Sequence, residues 1–147
     1  MGIRADLRPA CAADRPFAEA VYFETQRWLI EELFGRRGDE VERAKFAAFY
    51  RQDETSIIVV RGEDAGWMTV VRSGDAIELD GIYILPQFQR LGFGTALIRG
   101  LMLQASLEGK PLRLSTAKIN PARALYRRLA FQEMEEDRYK VYMEYRG

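Results

Sequence analysis

The 147-residue sequence balances 22 Lys+Arg against 22 Asp+Glu, is 48% apolar, and contains one cysteine and no histidine. Zero net charge lacks the basic excess of a general nucleic-acid or membrane-surface binder. The single Cys11 rules out an internal disulfide, and the missing histidine removes Ser-His-Asp and Cys-His triads and argues against a zinc site. No apolar run approaches the ~18 residues of a spanning helix, and Met1–Asp6 lacks the apolar core of a signal peptide. The expectation is one cytoplasmic domain over residues 1–147, without metal, membrane or nucleic acid.

In chain order, Ile3 to Arg8 alternates as a first strand that Pro9 closes. Asp14 is placed to cap a helix with Phe17, Ala20, Val21 and Trp28 on its apolar stripe. Gly35 and Gly38 break it, and Asp39 is placed to cap a second helix carrying Phe46, Phe49 and Tyr50. Ile57–Val60 and Trp67–Val71 read as strands around a Gly62-Glu63-Asp64 turn. Ser73-Gly74-Asp75 then turns into a strand from Ala76 to Leu85. Leu97, Ile98, Leu101, Met102 and Ala105 recur at helical spacing. Pro111 to Ala117 is a strand that follows a crossover helix and so runs parallel to the one before it. Asn120 and Pro121 open a further helix, and Phe131–Glu135 and Arg138–Tyr145 form a last hairpin. The order is β-α-α-β-β-β-α-β-α-β-β, an α+β fold with a mixed, mostly antiparallel sheet of about seven strands and four helices.

Gln89-Arg90-Leu91-Gly92-Phe93-Gly94 sits between the third helix and the strand before it. Glycine permits a tight turn and close backbone approach, and the free N–H groups of a helix N-terminus favour an anion such as phosphate. The P-loop Lys-Ser/Thr is absent. A dinucleotide fingerprint needs a glycine where Leu97 stands, and belongs near the start of a βαβ unit. The remaining pattern, Gln/Arg-x-x-Gly-x-Gly/Ala, resembles the acyl-CoA loop of the Gcn5-related N-acetyltransferases. Downstream, Asn120-Pro121-Ala122-Arg123-Ala124-Leu125-Tyr126-Arg127-Arg128-Leu129-Ala130-Phe131 is similar to that family's second signature. Ala130 departs from it by replacing a glycine, and a left-handed residue there costs a non-glycine about 1 kcal/mol. The helix is therefore open to ending differently, with Phe131 displaced.

The resemblance covers nearly the whole chain and implies acetyl-CoA as cosubstrate. Backbone N–H groups of Leu91, Gly92, Phe93, Gly94 and Thr95, with Gln89 and Arg90 beside them, would hold the pyrophosphate. Backbone groups of Ile82, Tyr83 and Ile84 would hold the pantetheine and the acetyl oxygen, with Gly81 marking a bulge or close approach. Asn120 would touch the pantetheine or simply cap its helix; Arg90 and Arg123 would meet CoA phosphates or be surface cations. Tyr126 would be the general acid, its alternative being a core tyrosine. With no histidine, Glu78 and Asp80 are the base candidates, two apart and on one strand face, although solvated carboxylates and a water chain read the pattern equally. Tyr22, Phe23, Trp28, Phe34, Phe46 and Tyr50, with Glu24, Glu31 and Glu32, are either acceptor wall or core and surface. The implied activity is N-acetylation of a small-molecule, peptide or protein amine, in an arrangement compatible with a homodimer; the alternative is a non-catalytic acyl-CoA-binding domain.

Overall fold

The computed structural model describes residues 4–147; Ile3, expected to open the first strand, lies outside them. The elements are β1 (Ala5–Pro9), α1 (Arg15–Phe34), α2 (Asp39–Phe49), β2 (Thr55–Val60), β3 (Glu63–Arg72), β4 (Ile77–Ile84), α3 (Phe93–Glu108), β5 (Leu112–Ala117), α4 (Ala122–Arg128), β6 (Gln132–Glu136) and β7 (Lys140–Tyr145). The strands form one sheet in the order β1-β2-β3-β4-β5-β7-β6, the α+β architecture that the sequence implies. The chain divides into two compact units. One comprises residues up to Thr69 with Ile82–Phe93, and the other Val70–Gly81 with Gly94–Gly147.

In the first unit, β1 pairs antiparallel with β2 from Ala5↔Val60 to Pro9↔Ser56. Pro9 thus lies inside the strand, at the sheet edge where a missing N–H is tolerated. The β2–β3 turn is only Arg61-Gly62, both left-handed (φ 52° and 77°), which matches the twist of a two-residue hairpin. Glu63 and Asp64, expected in the turn, therefore begin β3. The register shifts between Ile58↔Gly66 and Val59↔Asp64. Ala65 is left as a bulge, and its carbonyl accepts the Leu85 N–H at 2.8 Å.

Ala18, Val21, Phe46, Ile57 and Trp67 form the core of this unit, with Tyr22, Phe49, Tyr50 and Tyr83 packed against it. The Trp67 indole N–H donates to the Ala18 carbonyl at 2.9 Å. That contact requires a small residue on the helix, and it sets the rotation of α1. The buried face is accordingly Ala18, Val21 and Leu29; Ala20 is exposed and Trp28 is 51% exposed, contrary to the expected stripe. Asp14 does not cap α1 with its side chain. Its carboxylate accepts the Cys11 N–H at 2.9 Å and two guanidinium N–H groups of Arg8 at 2.8 and 2.9 Å, which holds it well below the usual carboxylate range. Gly38, not Asp39, precedes α2, and Asp39 instead accepts from Arg27 at 3.0 Å.

In the second unit, β4 runs parallel to β5 through Ile77↔Leu112, Glu78↔Arg113 and Leu79↔Leu114. β7 lies between β5 and β6, antiparallel to both. The two-residue period puts Ile77, Leu79, Leu112, Leu114, Thr116, Val141 and Met143 on one face, all buried, and α3 buries Ile98, Leu101 and Ala105. Glu78, Asp80, Arg113, Ser115, Tyr142 and Glu144 alternate onto the other face.

α4 closes with Ala130 in the left-handed region at φ 74°. The Phe131 N–H reaches the Tyr126 carbonyl at 3.0 Å and the Ala130 N–H reaches the Arg127 carbonyl at 3.0 Å, the paired bonds of a glycine-type helix end. Phe131 is buried at 4% exposure. The altered ending expected from Ala130 does not occur, because two closing bonds and a buried phenyl outweigh the ~1 kcal/mol of strain. Ala130→Gly is expected to raise unfolding stability by about 0.5–1 kcal/mol, the relief of strain less the entropy glycine adds to the unfolded chain. Urea denaturation of the two proteins measures it, with the midpoint rising and the slope unchanged.

Candidate active site

The loop after β4 begins with a single 3₁₀ turn at Pro86–Phe88. Arg90 (φ 62°) and Gly92 (φ 87°) are both left-handed and bracket Leu91, which is 63% exposed. α3 starts at the next residue, Phe93, whose ring is buried. Such reversals curl successive N–H groups around a concavity suited to an anion, and the first turn of a helix has N–H groups without intrahelical partners. A side chain at Gly92 would enter open space, so only the backbone geometry resists substitution there. Gln89 bonds back to β4. Its amide Nε2 donates to the Ile84 carbonyl at 2.7 Å and ties the loop to the strand before it.

β3 approaches this strand at a point the sequence reading did not mark. An ideal Cβ on Gly66 would lie 2.1 Å from the Tyr83 carbonyl oxygen and 2.9 Å from the Ile84 Cα. Gly66 is thus a close-approach glycine. The Leu85 N–H and the Tyr83 carbonyl face β3, and the Ile84 carbonyl accepts from Gln89 instead, the alternation expected along a strand.

Tyr126 lies on α4, only 8% exposed, and its ring meets Phe131 at 5.8 Å between centroids. Burial pushes its phenol up to about 12. Folding therefore gains stability from this group below pH 10, and that gain is lost as pH rises from about 10 to about 12. Asn120 caps α4: its Oδ1 accepts the Ala122 N–H at 2.9 Å. Arg123 is committed elsewhere, donating two bonds to Glu133 at 2.8 and 2.9 Å while Arg127 donates a third at 2.6 Å. The two guanidinium groups hold the Glu133 carboxylate at about 2.

Glu78 and Asp80 line a cavity of about 470 Å³ on the open face of the second unit, with Arg113, Ser115, Glu135 and Tyr142 among the other lining residues. Arg113 pairs with Glu144 at 3.0 Å. The Tyr142 hydroxyl donates to Asp137 at 2.9 Å, and its ring and the Met134 side chain are exposed. The contributions of β5, β6 and β7 were not legible in the sequence, because register across strands decides them. Of the aromatic residues considered as an acceptor wall, Tyr22, Phe46 and Tyr50 are packed in the first unit's core. Trp28 and Phe34 are exposed, as are Glu24, Glu31 and Glu32. Cys11 is an exposed free thiol. Among the described residues no helix is long and apolar enough to cross a membrane.

The sequence matches the description "Acetyltransferase (GNAT) domain" over residues 51–133, more than half of the chain. The chain belongs to the GNAT acetyltransferases. Among solved structures it is similar to the PaiA N-acetyltransferase of Thermoplasma acidophilum in complex with coenzyme A (TM-score 0.76, 15% identity, 97% of this chain and 99% of that one). It is also similar to an acetyltransferase of Thermus thermophilus (0.72, 18%, 98% and 97%), and to the ribosomal-protein-S18-alanine N-acetyltransferase of Escherichia coli (0.68, 19%, 97% and 93%). At these identities the likeness establishes the fold. No curated protein matches the sequence.

Because the loop geometry at residue 92 is purely a backbone matter, two substitutions separate strain from charge. Gly92→Ala is expected to weaken acetyl-CoA binding about tenfold, the equivalent of ~1–2 kcal/mol of left-handed strain. Gly92→Glu, which adds a negative charge, should weaken it at least ~100-fold. Isothermal calorimetry of each variant decides; equal affinities for Glu, Ala and Gly would rule out an anion site at this loop.

Proposed function

We propose that this protein is an acetyl-CoA-dependent N-acetyltransferase that acts on a cationic amine. The observation that carries the cosubstrate is the loop of Arg90, Leu91 and Gly92 running into α3, in a chain of the acetyltransferase family; the related Thermoplasma protein was solved with coenzyme A. N–H groups of Leu91 to Thr95 would bind the pyrophosphate, and backbone groups of Ile82 and Ile84 the pantetheine and the acetyl oxygen. Asn120 can offer its amide N–H while its oxygen caps α4. A fixed backbone donor at the acetyl oxygen would stabilise the oxyanion of the tetrahedral intermediate.

A cationic amine must lose two protons in the reaction. Glu78, or water held by Glu78 and Asp80, would take the first and pass it to solvent, freeing the nitrogen lone pair; the nitrogen then bonds to the acetyl carbon, the C–S bond breaks, and the second N–H proton is released as sulfur gains one. The phenol of Tyr126, pushed up to about 12, faces a thiol of ordinary pKa near 8.5, so complete proton transfer is uphill by ~5 kcal/mol. Its role is therefore hydrogen-bond donation to the developing thiolate, with the proton released by the amine ending on sulfur. The cavity beside Glu78 supports a cationic acceptor. Its lining holds four carboxylates and the cation Arg113; Glu144 is paired with Arg113 and Arg146, so Glu78, Asp80 and Glu135 carry the negative potential toward an acceptor. Glu78 and Asp80 stand about 7 Å apart along the strand, which suits an aliphatic chain with more than one ammonium group.

Release of CoA from acetyl-CoA, measured over a panel of diamines, polyamines, monoamines, amino acids and peptides, tests the proposal. Amines with two or more charges should give the highest kcat/KM. Glu78→Gln with Asp80→Asn should lower that preference over monoamines about tenfold, or ~1.4 kcal/mol. Saturable acetyl-CoA binding with no turnover on any amine would favour a non-catalytic acyl-CoA-binding domain. Tyr126→Phe should cut kcat about 100-fold with KM for acetyl-CoA little changed. The wild-type rate should show no alkaline loss attributable to Tyr126 below about pH 11.

A further inference from the structure

The strand segment Tyr83–Leu85 is held at three points within the first unit. The Leu85 N–H donates to the carbonyl of the bulged residue Ala65 at 2.8 Å. The Gln89 side chain donates to the Ile84 carbonyl at 2.7 Å. Between these, Gly66 presents a bare Cα to the Tyr83 carbonyl, where any Cβ would sit 2.1 Å from the oxygen and 3.0 Å from its carbon. All three nearest atoms are backbone, so no side-chain rotation relieves the clash; the strand itself must shift by more than an ångström. Gly66 is buried, its φ lies outside the left-handed region, and it follows the bulge directly. Its requirement for glycine is one of space, not of conformation.

We propose that Gly66 is a positioning residue for acyl transfer. By allowing β3 to lie against Tyr83, it fixes where the backbone groups of Ile82 and Ile84 stand, while Gln89 couples that placement to the pyrophosphate loop. The bulge at Ala65 and the glycine after it act as one device: the bulge turns a carbonyl to Leu85, and the glycine removes the obstacle beside it. The inference rests on the acyl-CoA reading above. It adds that recognition of the pantetheine and acetyl group depends on a residue of β3 that touches neither.

The proposal predicts a selective defect. A Gly66→Ala protein should keep its affinity for 3′-phosphoadenosine 5′-diphosphate, the part of CoA without the pantetheine arm, within about twofold. It should lose acetyl-CoA affinity roughly 10- to 100-fold, or ~1.4–2.8 kcal/mol. Calorimetry with the two ligands on the full chain gives the ratio. Gln89→Met keeps the side chain's length and neutrality but removes the donor; the residue is exposed, so folding is not at stake, and the ratio of the two affinities should fall at least threefold. This variant decides the matter if Gly66→Ala does not fold. A ratio unchanged in the folded variants overturns the positioning role. Wild-type protein that binds neither ligand overturns the acyl-CoA reading itself, an outcome distinct from the first.

Discussion

The backbone of β4 has to satisfy different partners along its length, and much of the structure follows from that. Every buried N–H and C=O needs a hydrogen bond. From Ile77 to Leu79 the strand meets this need with the parallel ladder to β5. By Leu85 it does so through Ala65 of β3, and the Ile84 carbonyl turns to the side chain of Gln89. Under the proposed function, main-chain groups of Ile82 and Ile84 would be offered to the acyl-CoA, which requires that β3 hold the strand firmly. The bulge and the bare Cα of Gly66 supply that hold.

The two units stabilise themselves by different means. The first is built on aromatic packing around Trp67, whose ring lies edge-on to Phe46 and Tyr50 and 4.6 Å from Tyr83 between centroids. Pairs of this kind add ~0.5–1.5 kcal/mol beyond area burial. The second has an aliphatic sheet face, an apolar stripe on α3 that is buried, and an opposite sheet face left polar. Its charges are partly neutralised in place: Glu133 is shared by Arg123 and Arg127, and Glu144 by Arg113 and Arg146. That explains why two arginines that read as phosphate ligands or surface cations in the sequence divide so differently. Arg123 is bound into an ion-pair cluster, whereas Arg90 adopts a left-handed backbone in the loop.

What could be read from the sequence was what is local. Apolar spacing located the helices and strands, and the glycine loop and the Asn120–Phe131 segment pointed to the family without any knowledge of tertiary contacts. The errors share a cause. Trp28 falls on the apolar stripe by spacing alone, whereas the helix face is chosen by Ala18, whose small side chain lets the Trp67 indole reach the backbone. Glu63 and Asp64 looked like turn residues because polar composition does not distinguish a turn from the exposed start of a strand. Gly66 and the residues facing Glu78 across the sheet were missed because their roles are set by register between strands distant in sequence. Asp14 was expected to cap a helix, but a guanidinium six residues earlier claims it.

The end of α4 has a consequence for how stiff the phenol of Tyr126 is. The carbonyl of that same residue accepts both the Leu129 N–H, at 3.2 Å, and the Phe131 N–H, at 3.0 Å. Its ring leans on Phe131, which in turn lies 5.9 Å from Tyr145 at the end of β7. Main chain and side chain are thus anchored through one neighbouring phenyl ring, and that ring is braced by a strand. Displacing the hydroxyl would require the helix terminus and the last strand to move together. Under the proposed mechanism, a dipole so fixed would be oriented before any substrate arrives, and little reorganisation energy would be left to supply when charge appears on the leaving sulfur.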